Sequence, residues 1–183
     1  MAWEFDPNHS QVDFASRHYG ISTIRGTFRK VQAQLSCDGE DPTRWSIDVT
    51  VDTRSLESGW DRRDDHLRSP DFLDVERFPT IAFHGRRVER VDGRYRLVGD
   101  LTIHGVTREV ALEGEFHGEV PDRQGGMRRG FSADTTIKRT DFGVGGPEGS
   151  GAAGDDVRIS ITMEAINREA TPLPTAAGAQ PAH

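Results

Sequence analysis

The feature that most constrains this chain is alternation: apolar and polar residues exchange places with a period of two through most of its length. Successive side chains of an extended strand point to opposite faces, so the pattern marks strands that are wet on one side and apolar on the other. Val12, Phe14 and Ser16 alternate with Asp13, Ala15 and Arg17, and Ile47, Val49 and Val51 with Asp48, Thr50 and Asp52. Tyr95, Leu97, Gly99, Leu101 and Ile103 share a face opposite Arg96, Asp100 and Thr102. Val110, Leu112, Gly114 and Phe116 stand against Glu109, Glu113 and Glu115. Met127, Phe131, Ala133, Thr135 and Ile137 repeat the pattern, as do Val157, Ile159, Ile161, Met163 and Ala165.

The punctuation agrees. Asp92-Gly93 between Val91 and Tyr95 predicts a two-residue hairpin, and His104-Gly105 predicts a turn or kink before Val106. Between Phe28 and Val31 the alternation slips by one, which predicts a β-bulge near Arg29-Lys30. From about Ser58 to Asp74 the period changes, and Trp60, Asp64 and Leu67 fall at helical spacing. Ser69-Pro70-Asp71 reads as a second helix start, so one or two short helices are expected over 58–74. The Gly-rich stretch Gly145 to Asp156 predicts a mobile loop. Beyond Arg168 an Ala-, Pro- and Thr-rich sequence predicts a disordered tail over 169–183, following a single domain over 1–168.

Composition narrows the function. The net charge of −7 argues against a nucleic-acid partner, because phosphate neutralisation needs clustered Lys and Arg. The short pairs Arg86-Arg87 and Arg128-Arg129 read as solvated strand faces. The single cysteine, Cys37, leaves no disulfide and no thiol pair for zinc, and the histidines lack metal-site spacing. No stretch approaches the roughly 20 apolar residues of a membrane helix. Residues 1–6 lack a basic region followed by an apolar run, so the chain is expected to be cytoplasmic. No Gly-x-Ser-x-Gly elbow, Cys-His arrangement or phosphate-binding glycine loop appears, and no cofactor or catalytic group is predicted.

About eight such strands form either a sandwich or a closed antiparallel barrel. Small inward residues among the Phe and Val would fill a two-sheet core poorly, and closure removes exposed edges, so the all-β barrel is the expected fold. Its interior would be long, narrow and apolar.

Four motifs then show a resemblance. Asp6-Pro7-Asn8-His9-Ser10 with Gly26-Thr27-Phe28 resembles the first strands of the YceI-like family, and Arg63 to Phe72 resembles its central segment. Gly99-Asp100-Leu101-Thr102-Ile103-His104-Gly105-Val106-Thr107 and Arg139-Thr140-Asp141-Phe142-Gly143-Val144 are similar to two later motifs. The resemblance spans about Trp3 to Ala165 and implies a lipocalin-like barrel that binds a polyisoprenoid or similar long-chain amphiphile.

On that reading the wall consists of Phe14, Val49, Phe83, Leu97 and Leu101, continued by Leu112, Phe131, Ile137, Ile159 and Ile161. Ser16, His18 and Thr135 are the inward polar groups that could meet a headgroup or bond within the protein. Trp60, Leu67 and Phe72, on the apolar side of the insert, are further ligand-binding candidates, and Trp60 would narrow or cover the cavity mouth. Arg63, Asp64 and His66 read as a helix end pinned to the rim, with Arg139 and Asp141 placed to bridge to it. The expected function is carriage or storage of an isoprenoid lipid, such as a polyprenyl compound or quinone. Two alternatives stand beside it: an isomerase or cyclase using His18 or His66, and a filled barrel serving as an interaction module. A homodimer through exposed strand faces is also compatible with the sequence.

Overall fold

The computed structural model of the protein describes residues 3–37, 39–145 and 152–170. It is all-β, a single antiparallel sheet with one short helix. Its strands are β1 (Glu4–Phe5), β2 (Gln11–His18), β3 (Ser22–Phe28), β4 (Val31–Ser36), β5 (Ser46–Asp52) and β6 (Leu56–Glu57). After the helix α1 (Asp61–Arg68) come β7 (Thr80–Val91), β8 (Arg94–Ile103), β9 (Val106–Pro121), β10 (Met127–Lys138) and β11 (Ala153–Asn167). The hydrogen-bonded path runs β4-β5-β7-β8-β9-β10-β11-β2-β3-β6, with β1 also on β11.

The ladder is therefore a strongly curled open path of ten strands, with β1 an eleventh paired to β11, where about eight closed strands were expected. Of the chain neighbours β3 and β4, β4 ends the path on one side, while β3 lies next to β6, which ends it on the other. The predicted bulge at Arg29-Lys30 is the corner between them, and the slip in alternation marks a change of strand instead of an extra residue within one. Hydrogen bonds pin this corner to the segment after β5: Arg29 N–H to the Ser55 carbonyl (3.1 Å) and Asp52 N–H to the Lys30 carbonyl (2.9 Å). Val12, Phe28, Val31, Val51 and Leu56 form one buried cluster there, so side-chain packing draws the two ends of the path together.

The curl has local causes. Register shifts interrupt the ladders at Gly85/Arg87, at Gly130/Phe131 and at Ala153/Val157, and bulges of this kind bend and twist a strand. Asp92-Gly93 makes the expected tight hairpin, with both residues at positive φ (49° and 83°), the backbone that matches strand twist.

The insert resolves to one helix. Ser69, expected to start a second, instead ends α1: its N–H bonds the His66 carbonyl, and Pro70 follows it. Turns carry the chain from there to β7, with Asp74 at positive φ (46°). Strand β11 begins at Ala153, inside the stretch expected to be loop, while residues 146–151 and the expected tail from 171 onward lie outside the described residues. No helix of the described residues is long and apolar enough to cross a membrane.

Candidate ligand cavity

Alternation sends one face of every long strand inward, and those faces enclose a cavity of about 200 Å3. Phe14 of β2, Val49 of β5 and Phe83 of β7 line it, with Leu97 and Leu101 of β8 and Leu112 of β9. Phe131 and Thr135 of β10 and Ile159 and Ile161 of β11 complete ten of the sixteen sequence-selected positions. Leu35, Trp45, Ile47, Ile81, Tyr95 and Phe116 line it too, though the sequence reading did not select them. Ile47, Tyr95 and Phe116 continue the alternating faces already read there, so that signal was available.

Six selected residues lie off the cavity. Ser16 Oγ donates to the Gly154 and Asp156 carbonyls (3.2 and 3.1 Å), bonding the strand beside it. His18 stands at the end of β2 with its ring edge-on to Tyr19 (4.6 Å between centroids). Trp60 is 57% exposed at the head of α1, against the Arg63 guanidinium. Leu67, Phe72 and Ile137 pack into a plug with Leu101, Ile103, Phe142 and Val144. Thr135, which does line the cavity, donates to the Ala111 carbonyl (2.9 Å).

The cavity is smaller than slight inward residues suggested, because aromatic rings lie over the glycines. A Cβ on Gly26 would meet the Phe14 ring at 2.3 Å, and one on Gly99 would meet the Phe83 ring at 2.5 Å. The missing side chains leave room for rings, and the rings take most of the space. A cavity of roughly 150 Å3 holds benzene, so the present volume suits a short branched fragment without rearrangement.

The two ends of the cavity differ in construction. At one end Trp45 meets Phe116 and Phe131 edge-on (5.1 and 5.5 Å), all three half-buried. Beside them the buried guanidinium of Arg129 lies between the rings of Trp3 (4.2 Å) and Trp45 (4.9 Å) and donates to Glu119 (2.6 Å) and the Cys37 carbonyl. This corrects the reading of Arg128-Arg129 as a solvated pair: Arg129 shares the inward face of Met127 and Phe131. Arg128 faces the other way and clasps the amino-terminal segment, donating to Asp6 (2.6 Å), Glu164 (2.6 Å) and Asp122 (3.0 Å). Burial pushes the Asp6 carboxyl up, but the bonds from Arg128 and His9 outweigh it and hold the group below the usual carboxylate range. Asp6, His9 and Glu164 stand close enough to hold a metal, and the Arg128 guanidinium occupies their centre.

The opposite end is the buried apolar plug under α1. Asp64 accepts from the Ser58 backbone N–H (2.9 Å) and hydroxyl, and Arg63 donates to the Ser58 hydroxyl (2.7 Å), so these residues fasten the insert. His66 is exposed and faces Asp71 (3.3 Å). Arg139 is buried and donates to the carbonyls of Val144, Gly154 and Ala153 (2.8, 3.0 and 3.2 Å). It therefore ties the start of β11 to the turn after β10 and makes no ion pair with the helix among the described residues. Asp141 is exposed, and its carbonyl accepts from Arg108.

Fold and site together define a curled β-sheet protein with an internal apolar compartment. The model of the YceI-like domain matches residues 3–165, and the chain belongs to that family. A UPF0312 protein of Pseudomonas putida is 38% identical over 162 residues, covering 88% of this chain and 83% of that one. Among solved structures, BcnA of Burkholderia cenocepacia superposes with a TM-score of 0.79 at 24% identity, over 88% of this chain and 99% of BcnA. A polyisoprenoid binding domain from Saccharophagus degradans, implicated in plant cell wall breakdown, gives 0.64 at 14% identity, over 91% and 98%. At these identities the two structures speak to the shared fold.

Proposed function

We propose that this protein binds the hydrocarbon part of a long-chain amphiphile, an isoprenoid lipid such as a polyprenyl compound or quinone, for carriage or storage without chemical change. The observation that carries the reading is the cavity wall: every long strand contributes apolar side chains, and the Thr135 hydroxyl within it is already bonded to the protein. Such a wall gains about 0.8 kcal/mol per buried methylene before binding costs and asks for no polar anchor inside. The Saccharophagus neighbour is a polyisoprenoid binding domain, and that likeness supports the choice of ligand. On this reading the seam between β3 and β4 is sealed by side chains and the curled sheet acts as a closed, lipocalin-like barrel. A chain of several isoprene units would displace Phe14 and Phe83 from Gly26 and Gly99 and leave through the aromatic end.

Native mass spectrometry of protein purified from cells should show mass beyond the polypeptide, extractable as a long-chain lipid. Bare polypeptide, together with no uptake of added isoprenoid quinone, would sink the proposal. Catalysis by His18 or His66 draws no support from the geometry, since neither residue lines the cavity.

A further inference from the structure

Residues 14–37 contain no Asp or Glu, although the whole chain has 30 acids in 183 residues, and they carry Arg17, Arg25, Arg29 and Lys30. The stretch folds into β2, β3 and β4, and the β2–β3 turn projects from the end that holds α1. At its tip Tyr19 is 66% and Ile21 83% exposed, the latter the most exposed large apolar residue described. The tip is held rigid. Tyr19 and Gly20 take positive φ (48° and 69°), Ile21 N–H bonds the His18 carbonyl (3.1 Å), and Tyr19 N–H bonds the Ala152 carbonyl (2.8 Å). Arg17 braces it from beneath, donating to the Gly20 carbonyl (2.6 Å) and Thr23 Oγ1 (3.2 Å), and meets no carboxylate among the described residues. Arg25 pairs with Ala15 across the strands and meets no acid among the described residues. Arg29 is neutralised by Glu57 (2.7 Å). The chain leaving β6 runs back along the same edge of β3 to Trp60, also exposed; the helix after it mixes Arg62 and Arg63 with Asp61, Asp64 and Asp65 and so adds no net positive charge.

We infer that this hairpin tip docks the protein on an anionic lipid surface, with Tyr19 and Ile21 entering the interface and Arg17 and Arg25 facing the headgroups. Tyr and Trp are at home at such boundaries because one end of the ring is apolar and the other wet. Two side chains on a convex turn are far too little for a stable protein interface, which buries about 800 Å2 per partner, but they suffice for shallow insertion. The cations supply the complementary charge in a chain that is otherwise acidic. The inference goes beyond the cargo reading and does not require it.

The test is co-sedimentation of the full chain with phosphatidylcholine vesicles, with and without phosphatidylglycerol, at low and high salt. The wild type should partition onto the phosphatidylglycerol vesicles and be released by salt. Ile21→Ser should weaken partition about tenfold, Tyr19→Asn should also weaken it, and Arg25→Gln about fivefold, all with unchanged thermal unfolding. Val120→Ser, at an exposed apolar residue of the opposite end, should change nothing. The idea is overturned if wild type stays in the supernatant, if Ile21→Ser binds as before, or if Val120→Ser loses as much. It is equally overturned if Ile21→Ser abolishes a concentration-dependent dimer while no variant binds vesicles. Uptake of dispersed farnesol without vesicles reports on the cavity alone: its absence would remove the cargo reading and leave vesicle binding to stand.

Discussion

The two ends of this molecule are closed by different chemistry. Under α1 the stopper is apolar and buried, centred on Phe142, which is 2% exposed, with Phe72, Ile103 and Val144 around it. At the other end Trp45, Phe116 and Phe131 are only half-buried and stand beside a guanidinium held between two indoles. Buried, close-packed side chains reward one arrangement, whereas half-buried rings with water on one side are less constrained. The first end is therefore the more tightly held, and on the proposed function the second is the route of access.

Substitutions can break that comparison. Phe142→Ala should cost the most, about 3–5 kcal/mol in urea denaturation, while farnesol uptake by the folded fraction stays near wild type. Arg129→Met should cost about 2 kcal/mol, since it removes the stacked cation and leaves Glu119 without its partner. Trp45→Ala should lose less stability, about 1–2 kcal/mol for a half-buried ring, yet speed release of a bound isoprenoid in a stopped-flow chase. Equal release rates in Trp45→Ala and Phe142→Ala would erase the distinction between the ends.

The smallest effect is a dependence on acid. The Asp6 carboxyl titrates lower in the folded protein than in the unfolded chain, so its stabilisation is present above the unfolded value, about pH 4, and fades as pH falls through the depressed one. Thermal unfolding measured from about pH 5 downward should show this loss. Arg128→Gln should flatten it, because the guanidinium supplies the leading bond that lowers the group.

Much of this was legible in the sequence because strand alternation is local. Asp92-Gly93 identified its own hairpin, and ten cavity positions followed from parity along β2, β5 and β7 to β11. What escaped depends on partners distant in the chain. The clasp of Arg128 on Asp6 joins residues 122 apart, and the Trp3–Arg129–Trp45 stack joins three segments. The parity of β10 places Arg129 beside Met127 and Phe131, a conflict that the reading of a solvated pair passed over. Ser69-Pro70 misled because the same pair serves to start one helix or stop another, and only the length of α1 decides. The volume of the cavity was illegible for a further reason: whether a glycine leaves a void or receives a ring depends on the rotamer of a neighbour.

The rings seated on Gly26 and Gly99 give the compartment an uneven response to guest length. A short guest enters the free volume with the wall at rest. A longer one would gain hydrocarbon burial only after Phe14 and Phe83 had swung away from their glycines. Affinity across a ladder of isoprenoid lengths should accordingly climb in steps, each step set by one aromatic ring giving up its seat.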